Sequence, residues 1–298
     1  MADATPEIAP YTRAMRVVSV ALLLACALSV TGACLQTSPG DDDDDDDTGE
    51  GEGEGEGEGE GEGEGEGECT FAPGVDDPRY DDVLALEEGA LRTALLGLVS
   101  PHTGLGFDGA RDRMFVTAQI DVDDQGEVEC IYTGAKVPAD GTRSPGSGQG
   151  EITTEHTWPR SDGADVFPAE GDLHHLAPAT SDSNNERASL PFGEVSCDAS
   201  TCPFAAGGSL RGPSVVNGAN VFEVRGLNRG DVARSHFYFS VRYEIAIEPS
   251  EEEVLRRWHC EDPPSDRERA RNNAVEVHQD NRNPFVDRPE LVAKISDF

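Results

Sequence analysis

From Glu50 to Glu68 the chain alternates glutamate and glycine without a break, directly after the Thr48-Gly49 that follows seven consecutive aspartates, Asp41 to Asp47. No segment of this kind can join a folded core. It has no apolar side chain to bury, its glycines lose the most backbone entropy on ordering, and its like charges repel along the whole length. The run therefore behaves as an extended tether and splits the chain into three parts: residues 1–34 before it, the acidic spacer 35–68, and the 230 residues from Cys69 onward. That last part is long enough for one well-cored domain. The tether carries −17 and residues 1–40 balance at zero, so of the chain's −36 the domain keeps −19.

The first part reads as a leader. Arg13 and Arg16 precede the apolar stretch VVSVALLLACALSV, which is followed by TGAC. Basic, apolar, then small is the order of a secretory signal, so the chain is expected to be exported. Cys34 stands where a bacterial lipoprotein signal places its lipidated cysteine, with Leu23-Leu24-Ala25-Cys26 as a competing site and a plainly cleaved signal as the other reading. A spacer is useful when one end is fixed, which points to an outer-membrane lipoprotein or cell-surface protein, with a periplasmic or extracellular protein as the alternative. Excluding Cys26 and Cys34 leaves five cysteines, Cys69, Cys130, Cys197, Cys202 and Cys260, an odd number in an oxidising compartment. Cys197 and Cys202 flank the short polar turn CDASTC and are the expected disulfide; spacing assigns no other pair.

Within the domain, DDVLALEEGALRTALLGLVSPH carries helical periodicity from Val83 to Leu98 and stops at Pro101. MFVTAQIDVDD and VECIYTG read as the strands of a hairpin around DDQGE. GDVARSHFYFSVRYEIAI reads as a buried helix capped by Asp231, EEEVLRRWHC as a second, and SDRERARNNAVEVHQDN as a third that opens with the capping box Ser265 to Glu268. Helices flanking a β-rich centre make the class α+β.

The chemistry concentrates in EITTEHTWPRSDGADVFPAEGDLHHLAPATSDSNNER, residues 151–187. Its pattern is strand, loop, strand, then a helix capped by Thr180 or Ser181. Adjacent strand residues point to opposite faces, so Glu155 can offer a carboxylate on one side while His156 addresses a substrate on the other. Asn184 falls in the first turn of the helix, where its amide oxygen can complete a hard-cation site with Glu155. Two oxygens leave most of an octahedral shell to water and phosphate, which suits Mg²⁺ better than zinc. Taken alone, a Glu-His pair and an Asn-Asn turn are more often structural, and the neighbouring His174 and His175 are open to a zinc reading.

The blocks EHTWPRS, DLHHLAP, SDSNNERASLPFGEV, RGDVARSHFYFSVRY, and WHCEDPPSDRERARNN with NRNPFVDRPEL resemble the endonuclease I family of secreted and periplasmic nucleases, in the same order and from about Tyr80 to the C-terminus. The resemblance implies a ββα-metal (His-Me finger) core flanked by helices and a largely sequence-nonspecific endonuclease acting on DNA, with RNA as a further substrate. It implies one Mg²⁺ or Mn²⁺ held by Glu155 and Asn184, and His156 as general base. By the same resemblance Arg187 is expected to orient the helix or contact phosphate, and Asp172 and His174 to support the site from behind; His175 falls where many relatives have Asn and receives no role. Ala188-Ser189 stand where relatives have Gly-Asn. No protein partner is implied, and the chain is expected to be a monomer.

The acidity resists this reading, because phosphate contacts dominate nucleic-acid affinity. It suits a high-salt medium in which long-range steering is screened to ~3 Å at 1 M salt. A local arginine cluster from Arg160, Arg187, Arg267, Arg269, Arg271 and Arg282 is the expected substitute for a basic surface. The alternatives are a surface-anchored binding or adhesion module, suggested by the tether and by Arg229-Gly230-Asp231, and an inactive nuclease fold.

Overall fold

The computed structural model describes residues 69–147 and 150–298. The leader, Cys34 and the tether lie outside the described residues, and with them the anchoring expectation. Helices α1 (Glu88–Val99) and α2 (Gly106–Arg111) come first, α2 widening into a π turn over Asp112–Val116. Strands β1 (Glu127–Glu129) and β2 (Lys136–Pro138) form one antiparallel pair, β3 (Ile152–His156) and β4 (Leu176–Thr180) a second. Helix α3 (Ser181–Arg187) follows β4 directly. A three-stranded antiparallel sheet comes next, β5 (Phe204–Ala206), β6 (Ser209–Pro213) and β7 (Asn220–Glu223), then α4 (Arg229–Tyr243), α5 (Pro249–Glu261), α6 (Asp266–Gln279) and α7 (Pro284–Asp287). The class is α+β. Among the described residues no helix is long and apolar enough to cross a membrane.

Helix α4 is the spine of the domain. Its residues from Val232 to Val241 are all buried, and it packs on α1, α5 and α7. A helix covered on every side needs its polar groups paired, and Arg234 shows how. With no exposed surface, its guanidinium donates to both Glu268 oxygens at 2.7 and 2.6 Å and to the Asp262 carbonyl at 2.8 Å. Aromatic rings complete the core around it: Phe237 lies 4.5 Å from Phe298, and Trp158 stacks on Phe239 at 4.7 Å.

Several sequence expectations need redrawing. The first helix begins at Glu88, not Val83. Val83 is buried and Leu84 and Leu86 pack on the core from a turn, so the apolar pattern reports burial rather than helix there. MFVTAQIDVDD is no strand: Met114 and Phe115 sit in the π turn, and only Val122 bridges to Val128. The partner of β1 is β2, in register Val128 to Val137. Asp231 is not the α4 cap. Asn228 holds that position, and Asp231 accepts from its Nδ2 at 3.1 Å. Residues 244–248 lie beyond the end of α4, which stops where Glu244 turns left-handed. Ser265 caps α6 through the Glu268 N–H at 3.1 Å, but the Glu268 carboxylate is committed to Arg234, so only half of the capping box forms.

The Arg-Gly-Asp tripeptide is built into the first turn of α4. Arg229 pairs with Glu223 and Glu261, and a Cβ on Gly230 would stand 1.8 Å from the Asp262 carbonyl oxygen. It is structural, and the adhesion reading loses that support. Cys197 and Cys202 are bonded as expected, and Cys69 is bonded to Cys260, tying the start of the described chain to α5. Cys130 remains a buried free thiol.

Candidate active site

Strand β3 presents its two faces to different neighbours. Thr153 and Glu155 point toward α3, where two contacts form one helical turn apart. Asn184 Nδ2 donates to Thr153 Oγ1 at 3.0 Å, and Arg187 donates to Glu155 Oε1 at 2.9 Å. Thr180 caps the helix through the Ser183 N–H, which fixes the phase of that turn. Glu155 and Asn184 are thus brought to the same side of the same strand.

Glu155 is 2% exposed. Its Oε1 also accepts from the Tyr132 hydroxyl at 2.8 Å, and among the described residues Oε2 accepts no hydrogen bond. Burial pushes this carboxyl up to about 7, against the pull of Arg187 and Tyr132. Asn184 spends its amide nitrogen on Thr153, and its side-chain oxygen accepts nothing from the described residues. Both oxygens are hard and uncommitted, and the carboxylate is one that a cation would hold ionised, a donor chemistry that suits Mg²⁺ or Mn²⁺.

His156 ends β3 on the other face, against the Phe107 ring at 5.2 Å and the His175 ring at 5.3 Å. Its Nε2 lies 3.0 Å from the Glu170 carbonyl oxygen. A carbonyl only accepts, so Nε2 carries the proton and Nδ1 carries the lone pair. Burial, reinforced by His175, holds the imidazole down to about 3, so it is neutral at physiological pH. The Glu170 carbonyl is set by the turn Ala169–Gly171, whose Gly171 leaves no room for a side chain: a Cβ there would meet the Gly106 carbonyl at 2.4 to 2.5 Å.

Arg187 is 1% exposed and sits over the Phe192 ring at 4.5 Å, donating to Glu155 and to the carbonyls of His156 and Thr157. Of its two expected roles, this geometry serves the first: it orients the helix and the end of β3. Asp172 and His174 make no hydrogen bond to the side chains of Glu155, His156 or Asn184. Asp172 lies one residue past the Ala169–Gly171 turn and accepts from Tyr238, Tyr243, Gln279 and the His174 N–H. The His174 ring packs on Tyr238, with Nε2 on the Asn281 carbonyl. His175 Nε2 instead donates to the Ala169 carbonyl at 2.7 Å. The two histidines diverge, and among the described residues no three His, Cys, Asp or Glu side chains converge, so the zinc reading has no ligand set. Ala188 adopts φ +50°, a backbone region that costs a side-chain-bearing residue energy and that glycine enters readily, which fits the glycine that the family resemblance leads one to expect there.

Of the expected arginine cluster, Arg267 and Arg271 line one cavity beside His174 and His175, yet both are ion-paired. Arg267 pairs with Glu129, Arg271 with Asp121, Arg282 with Glu276 and Asp287, and Arg269 turns to the Val286 carbonyl. In so acidic a domain the arginines are consumed by their own carboxylates. Arg160 alone of the six is exposed near His156, over the Phe107 ring at 5.6 Å and without an ion pair among the described residues. Sequence reasoning missed Tyr132, Thr153, Phe107 and the Glu170 carbonyl. Only the period-two alternation that puts Thr153 and Glu155 on one strand face was available as a signal.

The sequence pattern of the family described as Endonuclease I matches residues 89–290. The chain is 30% identical over 249 residues to an extracellular ribonuclease of Bacillus subtilis (strain 168), covering 75% of this chain and 80% of that relative. An extracellular ribonuclease of Bacillus amyloliquefaciens is 30% identical over 245 residues, with the same coverage. An extracellular deoxyribonuclease of Aeromonas hydrophila is 29% identical over 122 residues, 40% of this chain and 50% of the relative. With a match across more than half its length and the Glu155, His156 and Asn184 region inside it, the chain belongs to the endonuclease I family, enzymes that hydrolyse nucleic acids.

Proposed function

We propose that this chain is a divalent-metal-dependent, largely sequence-tolerant endonuclease with a ββα-metal core, cutting RNA and DNA with His156 as general base. The observation that carries the reading is the Nε2 to Glu170 carbonyl hydrogen bond, which leaves Nδ1 as a fixed, neutral acceptor. His156 Nδ1 takes the proton of the attacking water, and the Glu170 carbonyl holds the ring while positive charge develops on it. A bound phosphate's negative charge favours that imidazolium. Glu155 and Asn184 would hold one Mg²⁺ or Mn²⁺, supplying Lewis-acid stabilisation of the phosphate and the leaving oxygen. Arg187 keeps the Glu155 carboxylate aimed, and Arg160 is the exposed cation available to a phosphate of the strand. Both substrates are proposed because ribonucleases and deoxyribonucleases are among the relatives. Incubation of plasmid DNA and of a long RNA with Mg²⁺, with Mn²⁺ and with EDTA tests the reading. Degradation is expected with either metal and none in EDTA; undiminished cutting in EDTA would overturn it.

Export is part of the same proposal, supported by the leader and by relatives described as extracellular. The lipid anchor rests on Cys34. Cys34→Ser is expected to move the protein from the membrane fraction to the soluble one, since the tether has no apolar surface to hold it there. Unchanged fractionation would remove the anchor.

A further inference from the structure

A cavity of about 290 Å³ opens beyond the C-terminal end of β3, between the residues after His156, those after Arg187, and the start of α5. Its walls include Trp158, Ser189, His236, Ile245 and Glu251. Trp158 is two residues past His156, a separation the chain can span with at most roughly 7 Å, and Ser189 is two past Arg187. The cavity therefore adjoins the place where the scissile phosphate would lie.

Its polar atoms have an unusual pattern. His236 is 2% exposed and its Nδ1 lies 3.2 Å from the Val232 carbonyl oxygen, so Nδ1 is the donor and Nε2 keeps its lone pair. Nε2 faces Glu251 Oε1 across 3.8 Å and makes no hydrogen bond among the described residues. Glu251 Oε1 accepts the Phe192 N–H at 2.7 Å, while Oε2 accepts nothing. Ser189 Oγ accepts from Ser161 Oγ at 3.2 Å, leaving its own proton to donate. Trp158, its Nε1 held by the Asp162 carbonyl and its ring stacked on Phe239, is a fixed aromatic wall. Ile245 adds an apolar wall.

No Lys or Arg lines this cavity, so it is not built for phosphate. Besides the exposed carboxylates of Asp162 and Glu248, it offers the two unpartnered acceptors of His236 and Glu251, one donor and apolar walls. We infer that this cavity is a nucleobase subsite that receives a base beside the scissile phosphate and prefers guanine. Guanine alone among the common bases presents two adjacent N–H groups, N1 and N2, next to a carbonyl oxygen. The N–H groups match Glu251 Oε2 and His236 Nε2, the oxygen matches the Ser189 hydroxyl, and the purine face lies on the Trp158 side. Uracil and thymine bring one N–H between two acceptors, and those acceptors would face Glu251 and His236. The subsite rests on the nuclease reading for its purpose, though not for its binding chemistry. It produces a preference at one position, not a recognition sequence.

The test is nucleotide binding by the full chain in EDTA, where no cutting interferes. Burial pushes the Glu251 carboxyl up to about 7, so the calorimetric titration is run near pH ~8.5, where it is ionised. With 5′-GMP, 5′-AMP, 5′-CMP and 5′-UMP it is expected to give 5′-GMP at least about tenfold tighter binding than 5′-UMP, the worth of one charge-assisted hydrogen bond. Glu251→Gln should erase most of that ratio while keeping an acceptor for the Phe192 N–H. Ala246→Trp, on the exposed rim of the cavity, fills it without removing a core contact and should erase the ratio as well. In the presence of Mg²⁺, the ends produced from mixed-sequence RNA should be enriched for guanine at one fixed position, and the enrichment should fall in both variants. Equal affinity for the four nucleotides in a chain that cuts would overturn the subsite and leave the nuclease reading standing. Selective 5′-GMP binding in a chain that cuts nothing with either metal would support the subsite and sink the nuclease reading.

Discussion

His156→Ala is expected to lower the cleavage rate by roughly 10²- to 10⁴-fold, the worth of a positioned general base, while leaving the fold and the affinity for Mn²⁺ nearly intact. The fold should survive because the ring contributes tilted contacts to Phe107 and His175 and a single hydrogen bond to Glu170, all at the end of β3. Metal affinity should survive because His156 points away from the face of β3 that carries Glu155 and meets Asn184. Glu155→Gln and Asn184→Ala should show the opposite pattern, weak Mn²⁺ binding with partial rescue at high metal. Titration calorimetry of Mn²⁺ beside cleavage rates separates the two. If His156→Ala lost the metal while Asn184→Ala kept it, the roles would have to be exchanged.

The sequence carried this site unevenly, for physical reasons. Strand alternation put Glu155 and His156 on opposite faces, and a cap at Thr180 put Asn184 in the first turn of α3; both are local rules, and both hold. What local rules cannot express is who sits opposite. Tyr132 reaches Glu155 from the loop between β1 and β2, and Phe107 reaches His156 from α2. Their positions follow from how the elements pack. The same limit explains the arginines. Composition says that nineteen of the domain's residues are arginine, but not that Arg267, Arg271 and Arg282 each find a carboxylate before they find substrate. Burial was legible where helical period was not: Met114 and Phe115 are fully buried as their apolar character demands, in a π turn that β propensity misread as a strand.

Asp172→Ala is expected to cost about 3–5 kcal/mol of stability, as breaking a buried charged network does. Asp172 has no exposed surface, and its two oxygens accept from Gln279 Nε2 at 2.7 Å, the His174 N–H at 3.0 Å, and the Tyr238 and Tyr243 hydroxyls at 2.8 and 2.7 Å. One carboxylate therefore joins the loop before β4 to α4 and α6. Removal of the side chain strands three side-chain donors and a backbone N–H in the interior, a loss larger than the single bond removed by Tyr238→Phe, about 1 kcal/mol. Burial alone would raise the Asp172 pKa, but His174, His175, His102 and the Tyr243 hydroxyl outweigh it and hold the group at about 2. The native pKa lies below the unfolded value near 3.8, so this stabilisation is complete above pH 4 and drains away as the pH falls toward 2. In the variant that part of the acid sensitivity should be gone. Urea unfolding followed by circular dichroism at pH 7 and pH 3 measures both effects. The consequence reaches the chemistry, because the Asp172 carboxylate anchors to α4 and α6 the residue that directly follows the Ala169–Gly171 turn, and that turn aims the Glu170 carbonyl at His156. Cleavage by Asp172→Ala should accordingly fall even at temperatures where the variant is folded. A loss of stability under about 1 kcal/mol, with cutting unchanged, would show that the network neither holds the domain together nor orients its base.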